Sequence, residues 1–297
     1  MLYLTLKEQF SVIVMNGQDT GRAGLAGQMN ARGLVACDVL MDKLDLFDTD
    51  QAYDLLKDAA ASAKKFPARD SLSVMQNMFD DLVQKGAMDI RPALLGCDMN
   101  NVEAGVSINS WYTDENVYRC TVEGFRSEML DEDEPNSETA LLYWLLKESC
   151  ALNEMFSIQE QHEIDNKVTG FATKHSGWKA VCDVKFADSL SVLGLRFLKA
   201  KHSLFKNPYL EGVVLIFPFL ERRTSIFIDL VVLGSSVKDR RNQVVDYLNK
   251  RGHRVSVVKN DSESLLLIDG AYYRIFPTTR RMYKVPVQGV ALVPVYR

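Results

Sequence analysis

Apolar positions recur along this chain with two different periods. Up to about residue 172 they are spaced three and four apart, as in helices with one buried face. Beyond about residue 179 short runs of Val, Ile, Leu, Tyr and Phe take over, as in strands. Thr5 and Glu8 form a capping-box pattern, and Leu6, Phe10, Ile13 and Val14 follow on one face, which predicts a helix from about 5 to 15. The segment 24–42 has mixed helical spacing and leads into Leu44-Asp-Leu-Phe47, whose alternation predicts a short strand. Asp70 is expected to cap a helix carrying Leu72, Met75, Phe79, Leu82 and Val83, with Gly86 accepting the left-handed conformation at its end. Residues 87–90 and 92–95 are expected to pair as a hairpin. Thr113 is expected to cap a helix through Val117, Phe125 and Met129. An acidic turn at 130–135 precedes a long apolar helix from Thr139 to Glu154, and Ser157 with Glu160 repeats the capping box.

In the second half, Leu190, Leu193, Phe197, Leu198 and Leu204 predict an amphipathic helix over about 188–206, with Lys199, Lys201 and Lys206 at its end. Strands are expected at 213–219, 224–233, 254–258, 264–268, 272–276 and 289–295. One helix from Val237 to Lys250 interrupts them, started by Ser235-Ser236 and ended by Gly252. The fold class this predicts is α+β: a mostly helical N-terminal domain over 1–172, then a smaller α/β domain with a mixed sheet over 179–297. The boundary falls in the Gly170–Trp178 stretch.

The composition is that of a globular protein, with 297 residues, 47% hydrophobic and 25% charged. The longest apolar run, 212–220, falls far short of the ~20 residues that cross a bilayer. The N-terminus has no basic leader pattern, so a cytoplasmic chain is expected. Charge is divided unevenly. Residues 174–297 hold 21 Lys and Arg against 10 Asp and Glu, a net of +11, which leaves −15 on residues 1–173. Such a division suits two halves that attract each other, or a basic half that meets phosphate. The basic residues cluster at Arg222-Arg223, Arg240-Arg241, Lys250-Arg251-Arg254 and Arg280-Arg281-Lys284, with Tyr272, Tyr273 and Tyr283 among them. Tyrosines so interleaved suit base stacking or ordinary strand packing.

Local catalytic patterns are missing. The five cysteines, 37, 97, 120, 150 and 182, and the four histidines, 162, 175, 202 and 253, have neither zinc-ligand spacing nor a disulfide framework. Neither a Gly-rich dinucleotide loop nor a phosphate-binding lysine loop occurs. Glu221 and Asp229 resemble a pair of nuclease acids, but Val257-Val-Lys259 lacks the third acid. Cys182 and Ser235-Ser236 have no recognisable arrangement with His175 or His253. A non-enzymatic protein without cofactor or metal is therefore expected.

The order of elements over residues 1–172 resembles the Golgi phosphoprotein 3-like family. The resemblance is carried by Leu4-Thr-Leu-Lys-Glu8, Ala31-Arg-Gly-Leu34 running to Leu40, Lys43-Leu-Asp-Leu46, Leu82-Val-Gln-Lys-Gly86 and 139–149 with Phe156 after it. Members of that family are mostly helical and bind phosphatidylinositol 4-phosphate on membranes. The resemblance implies a headgroup contact from Arg32, because Arg32-Gly33 stands where the family has an Arg-Gly at the start of a helix. It places the family's tryptophan near Ala23 with Arg22 beside it, and the family's two helix arginines near Leu72 and Met75. The function expected is that of an adaptor, peripheral to a membrane, with Arg32 and Arg22 on a lipid phosphate. Arg222, Arg223, Arg240, Arg241, Arg254, Arg280, Arg281 and Lys284 would add a basic surface, or a protein partner would be bound instead. The competing expectations are a nucleic-acid-binding regulator reading through a winged-helix-like segment at 70–95, and a protein-interaction scaffold.

Overall fold

A computed structural model describes residues 2–131, 134–152, 155–186, 225–259, 264–282 and 284–295. The expected helix at 188–206, the expected strand at 213–219, Arg222, Arg223 and Tyr283 lie outside the described residues.

The chain is α+β, with helices in its first part and antiparallel strands in its last. The helices are α1 (Leu6–Val14), α2 (Leu25–Leu40), α3 (Ala52–Lys65), α4 (Ser71–Gln84), α5 (Met99–Glu103), α6 (Glu115–Leu130), α7 (Ser137–Glu148), α8 (Ile158–Ala172) and α9 (Ser176–Asp183). In the second part α10 (Val237–Asn249) stands among strands. The capping boxes read at Thr5–Glu8 and Ser157–Glu160 both form, and each carboxylate accepts the N–H of its cap residue. A third, Ser236 with Asp239, starts α10.

α1 and α7 lie at the centre of the first core. Phe10, Val12, Ile13 and Val14 of α1, and every residue from Thr139 to Leu146 of α7, are buried. A helix apolar on all sides is one that neighbours enclose. α2 crosses α1 at very short range: a Cβ at Gly33 would stand 2.3 Å from the Phe10 ring, so only glycine permits the approach. The core continues through Trp178, Val181, Val184 and Phe186, so α9 carries the first core past the Gly170–Trp178 stretch that read as a boundary.

Two sheets follow different plans. In the small one, β1 (Gln18–Asp19) and β2 (Met88–Pro92) flank β3 (Asn109–Thr113). The larger has the order β4-β8-β7-β6-β5, from β4 (Ile226–Asp229), β5 (Val255–Lys259), β6 (Leu265–Ile268), β7 (Ala271–Met282) and β8 (Val285–Val295). All its described pairings are antiparallel, which corrects the expected mixed sheet. Short loops explain this: Ile268 faces Ala271 across a turn made of Asp269 and Gly270 alone, and such turns join antiparallel neighbours. A second core gathers α10's Val244 and Leu248 against this sheet, together with Leu94 and Cys97 from the first half of the chain.

Several local expectations give way to tertiary context. Leu44–Phe47 is not a strand: it lies in a 3-10 stretch, Met41–Asp48, whose buried Phe47 packs edge-on against Trp178. Asp70 makes no side-chain cap bond to α4. The hairpin of 87–90 with 92–95 does not form, because β2 pairs with β3 and Leu94–Cys97 makes a 3-10 turn buried in the second core. That removes the helix-plus-hairpin on which the winged-helix expectation stood. Thr113 ends β3, and Asp114 caps α6 by accepting from the N–H groups of Asn116 and Val117.

Candidate functional site

A cleft of about 440 Å3 opens between the small sheet and the large one. One side is built from β1, β3 and the start of α2, and the other from Ile226, Ile268, Ala271 and Tyr273 of the large sheet, with Leu94 and Leu95 alongside. Leu94, Ile226, Ile268, Ala271 and Tyr273 of its apolar share belong to the second core.

Its polar end has an explicit cause. α2 begins at Gly24, which has no side chain to cap it, and Leu25, Ala26 and Gly27 line the cleft. The first N–H groups of any helix have no partner within the helix, and together with the aligned peptide dipoles they carry about half a positive charge. Among the described residues no acceptor takes these three N–H groups. Gln18 and Ser110 lie beside them on adjacent strands, 8% and 3% exposed. Both side chains line the cleft without a hydrogen bond to any described residue. Gln18 Oε1 lies close to Gly27, 3.6 Å from where a Cβ would stand there. Arg22 is exposed at the rim and pairs with no described carboxylate. Two acids line the cleft, Asp19 from the small sheet and Asp269 from the large one. Asp19 accepts the Gly21 N–H at 2.8 Å, and Asp269 is engaged by His253.

Asp269 belongs to a constellation that the sequence did not suggest. Its Oδ2 lies 2.7 Å from His253 Nδ1, and His253 Nε2 lies 3.3 Å from Cys97 Sγ. The Asp269 backbone has φ 49° and Gly270 φ 83°, the two left-handed residues that a two-residue hairpin turn needs, and this turn aims the carboxylate at the histidine. Burial opposes a charged His253. The hydrogen bonds to Asp269 and Cys97 outweigh it and raise the pKa to about 9. Asp-Gly between two apolar runs was the legible signal. Cys97 and His253 stand 156 residues apart and gave none.

The residues expected to form a site separate. Arg22 lies on the cleft. Arg32 does not: it sits mid-helix in α2, half-buried, and burial lowers its pKa. Gly33 beside it serves the contact with Phe10. At the positions aligned with the family's helix arginines, Met75 is buried and Leu72 packs on the first core.

Among the described basic residues, Arg254 pairs with Glu115 at 3.3 Å and Arg280 with Asp98 at 3.1 Å, both acids of the first half. Arg240 donates to the Ser235 carbonyl at 2.6 Å, and Arg241 is 8% exposed. Within that set Arg281 and Lys284 are exposed and have no partner among the described residues. The expected basic surface is therefore partly consumed in joining the halves. Asp229 and Lys259 lie on opposite edges of the large sheet, which separates the residues of the nuclease reading. Among the described residues no cluster of three His, Cys, Asp or Glu is arranged to hold a metal, and no helix is long and apolar enough to cross a membrane.

No protein-family model, curated protein or solved structure matches this chain.

Proposed function

We propose that the chain is a non-enzymatic binding protein whose ligand enters the cleft and presents a negatively charged group, phosphate or carboxylate, to the start of α2 and to Arg22. One observation carries this reading: an uncapped helix start opens into the cleft beside Gln18 and Ser110, whose side chains hydrogen-bond to no described residue. A bound group that accepts from Gln18 and Ser110 gains hydrogen bonds that no described residue makes to them. Backbone N–H groups, a helix dipole and a guanidinium at one point favour an anion.

Asp19 and Asp269, which line the cleft from its two sides, limit how much negative charge it accepts. Its apolar side favours a ligand with a hydrophobic body. A lipid phosphate fits this description, in keeping with the resemblance of residues 1–172 to a phosphoinositide-binding family. Arg22 then takes the contact that the resemblance assigns to Arg32.

Titration calorimetry with a short-chain phosphatidylinositol 4-phosphate, beside inorganic phosphate alone, tests the reading. Binding of either is expected to weaken about five- to tenfold in Arg22→Ala, the usual worth of one charge-assisted contact. Arg32→Ala is expected to leave it unchanged. Absence of binding, or equal loss in both variants, refutes the assignment.

A further inference from the structure

Behind the cleft wall, the Cys97, His253 and Asp269 side chains have the order of contacts of a cysteine paired with a histidine base that a carboxylate orients: sulfur to imidazole, imidazole to carboxylate. We propose that Cys97 is a peroxide-reactive thiol, activated by His253 and Asp269 and oxidised in preference to the other cysteines of the chain. This does not rest on the ligand reading of the cleft.

The geometry is held at both ends. Asp269 Oδ1 accepts the Arg254 N–H at 2.9 Å while Oδ2 meets His253 Nδ1, so the carboxylate cannot turn away. With Nδ1 donating to Asp269, Nε2 is left aimed at the sulfur. A cysteine reacts as its thiolate, and an adjacent imidazolium stabilises that form.

Burial then selects the co-reactant. Cys97 is 2% exposed and lies in the second core, outside the residues that line the cleft. An ester or peptide carbonyl cannot be brought to such a sulfur. Hydrogen peroxide, little larger than water, is the co-reactant proposed. In the step, the Cys97 thiolate attacks one peroxide oxygen, the S–O bond forms and the O–O bond breaks. The leaving hydroxide takes the proton from His253 Nε2 and departs as water. Sulfur is oxidised by two electrons to the sulfenic acid, and the peroxide is reduced.

The other thiols supply the comparison. Cys37 is equally buried, but no described imidazole contacts it, and burial pushes its pKa up with Lys7 only partly opposing. Cys120 is exposed.

The test treats the full-length protein with hydrogen peroxide for graded times and quenches it. It is then denatured in dimedone with an alkylating reagent, and each cysteine peptide is read by mass spectrometry. Cys97 is expected to be consumed at least about tenfold faster than Cys37, with the sulfenic adduct on Cys97. Asp269→Asn, which keeps the shape of the carboxylate, is expected to slow it, and His253→Gln to bring it to the rate of Cys37. A rate at Cys97 less than about tenfold above that of Cys37 in the unaltered protein overturns the proposal, whether or not the variants fold. So does a fast rate that both folded variants retain.

Discussion

At the scale of single residues, packing and partner geometry decide what the sequence leaves open. Gly33 reads as half of an Arg-Gly pair, yet its place is fixed by the Phe10 ring. Gly33→Ala is expected to cost about 1–3 kcal/mol in urea unfolding, because the added methyl must displace that ring. Two ionisable residues give opposite slopes of stability against pH. Glu160 accepts hydrogen bonds from Arg126, the largest influence on it, and from the Ser157 cap, which together outweigh burial and lower its pKa to about 2. Its contribution is present above its unfolded pKa and is lost as pH falls from about 4.5 towards 2. His253 runs the other way, since its folded pKa is raised. Its contribution is complete below its unfolded value near 6.5 and is lost as pH rises through about 9, where Asp269 and Cys97 lose their charged partner. Chemical denaturation across pH 6–10 is expected to show this loss in the native sequence and not in His253→Gln. Equal slopes in the two would contradict the assignment.

At the scale of elements, the sequence was most legible where one segment determines its own shape. The capping boxes at Thr5 and Ser157 and the serine start of α10 stand where the residues place them, and the apolar run of α7 forms a helix that ends at Glu148, short of the expected Glu154. Caps that depend on their neighbours did not. Asp70 precedes α4 but a short 3-10 turn at 68–70 leaves its side chain without a cap bond, whereas Asp114 caps α6 with two. Asp114→Ala is accordingly expected to lower stability by about 1 kcal/mol and Asp70→Ala by almost nothing in parallel denaturation curves. The 92–95 segment misled for a similar reason. Its apolar residues are wanted by a core that lies more than a hundred residues further along the chain, so Leu94 turns into it instead of pairing with β2.

At the scale of the whole molecule, the uneven charge of the sequence finds part of its explanation between the halves. Asp98 is 5% exposed and binds three groups: the Asn100 N–H of its own helix, the Phe227 N–H of β4 and the Arg280 guanidinium. Asp98→Ala is expected to destabilise by about 2–3 kcal/mol, since it strips a cap and leaves a buried N–H unpaired. Arg280→Ala should cost less, because the two N–H donors still hold Asp98. Attraction between the halves was one reading of the uneven charge, but the particular acids that the basic clusters meet were not visible in sequence. The cleft was equally hidden, since its walls come from residues 16–27, 93–112 and 226–273, and of the residues that line it only Arg22 and Tyr273 had been singled out.

If the start of α2 is where a negative group binds, backbone amide NMR during titration with a soluble phosphate monoester of hydrophobic body will register it there. Saturable shifts are expected at the Leu25, Ala26 and Gly27 amides and at the Gln18 side-chain amide, abolished or weakened in Arg22→Ala. Shifts confined to the surroundings of Arg281 and Lys284, or none at all at saturating ligand, would contradict it.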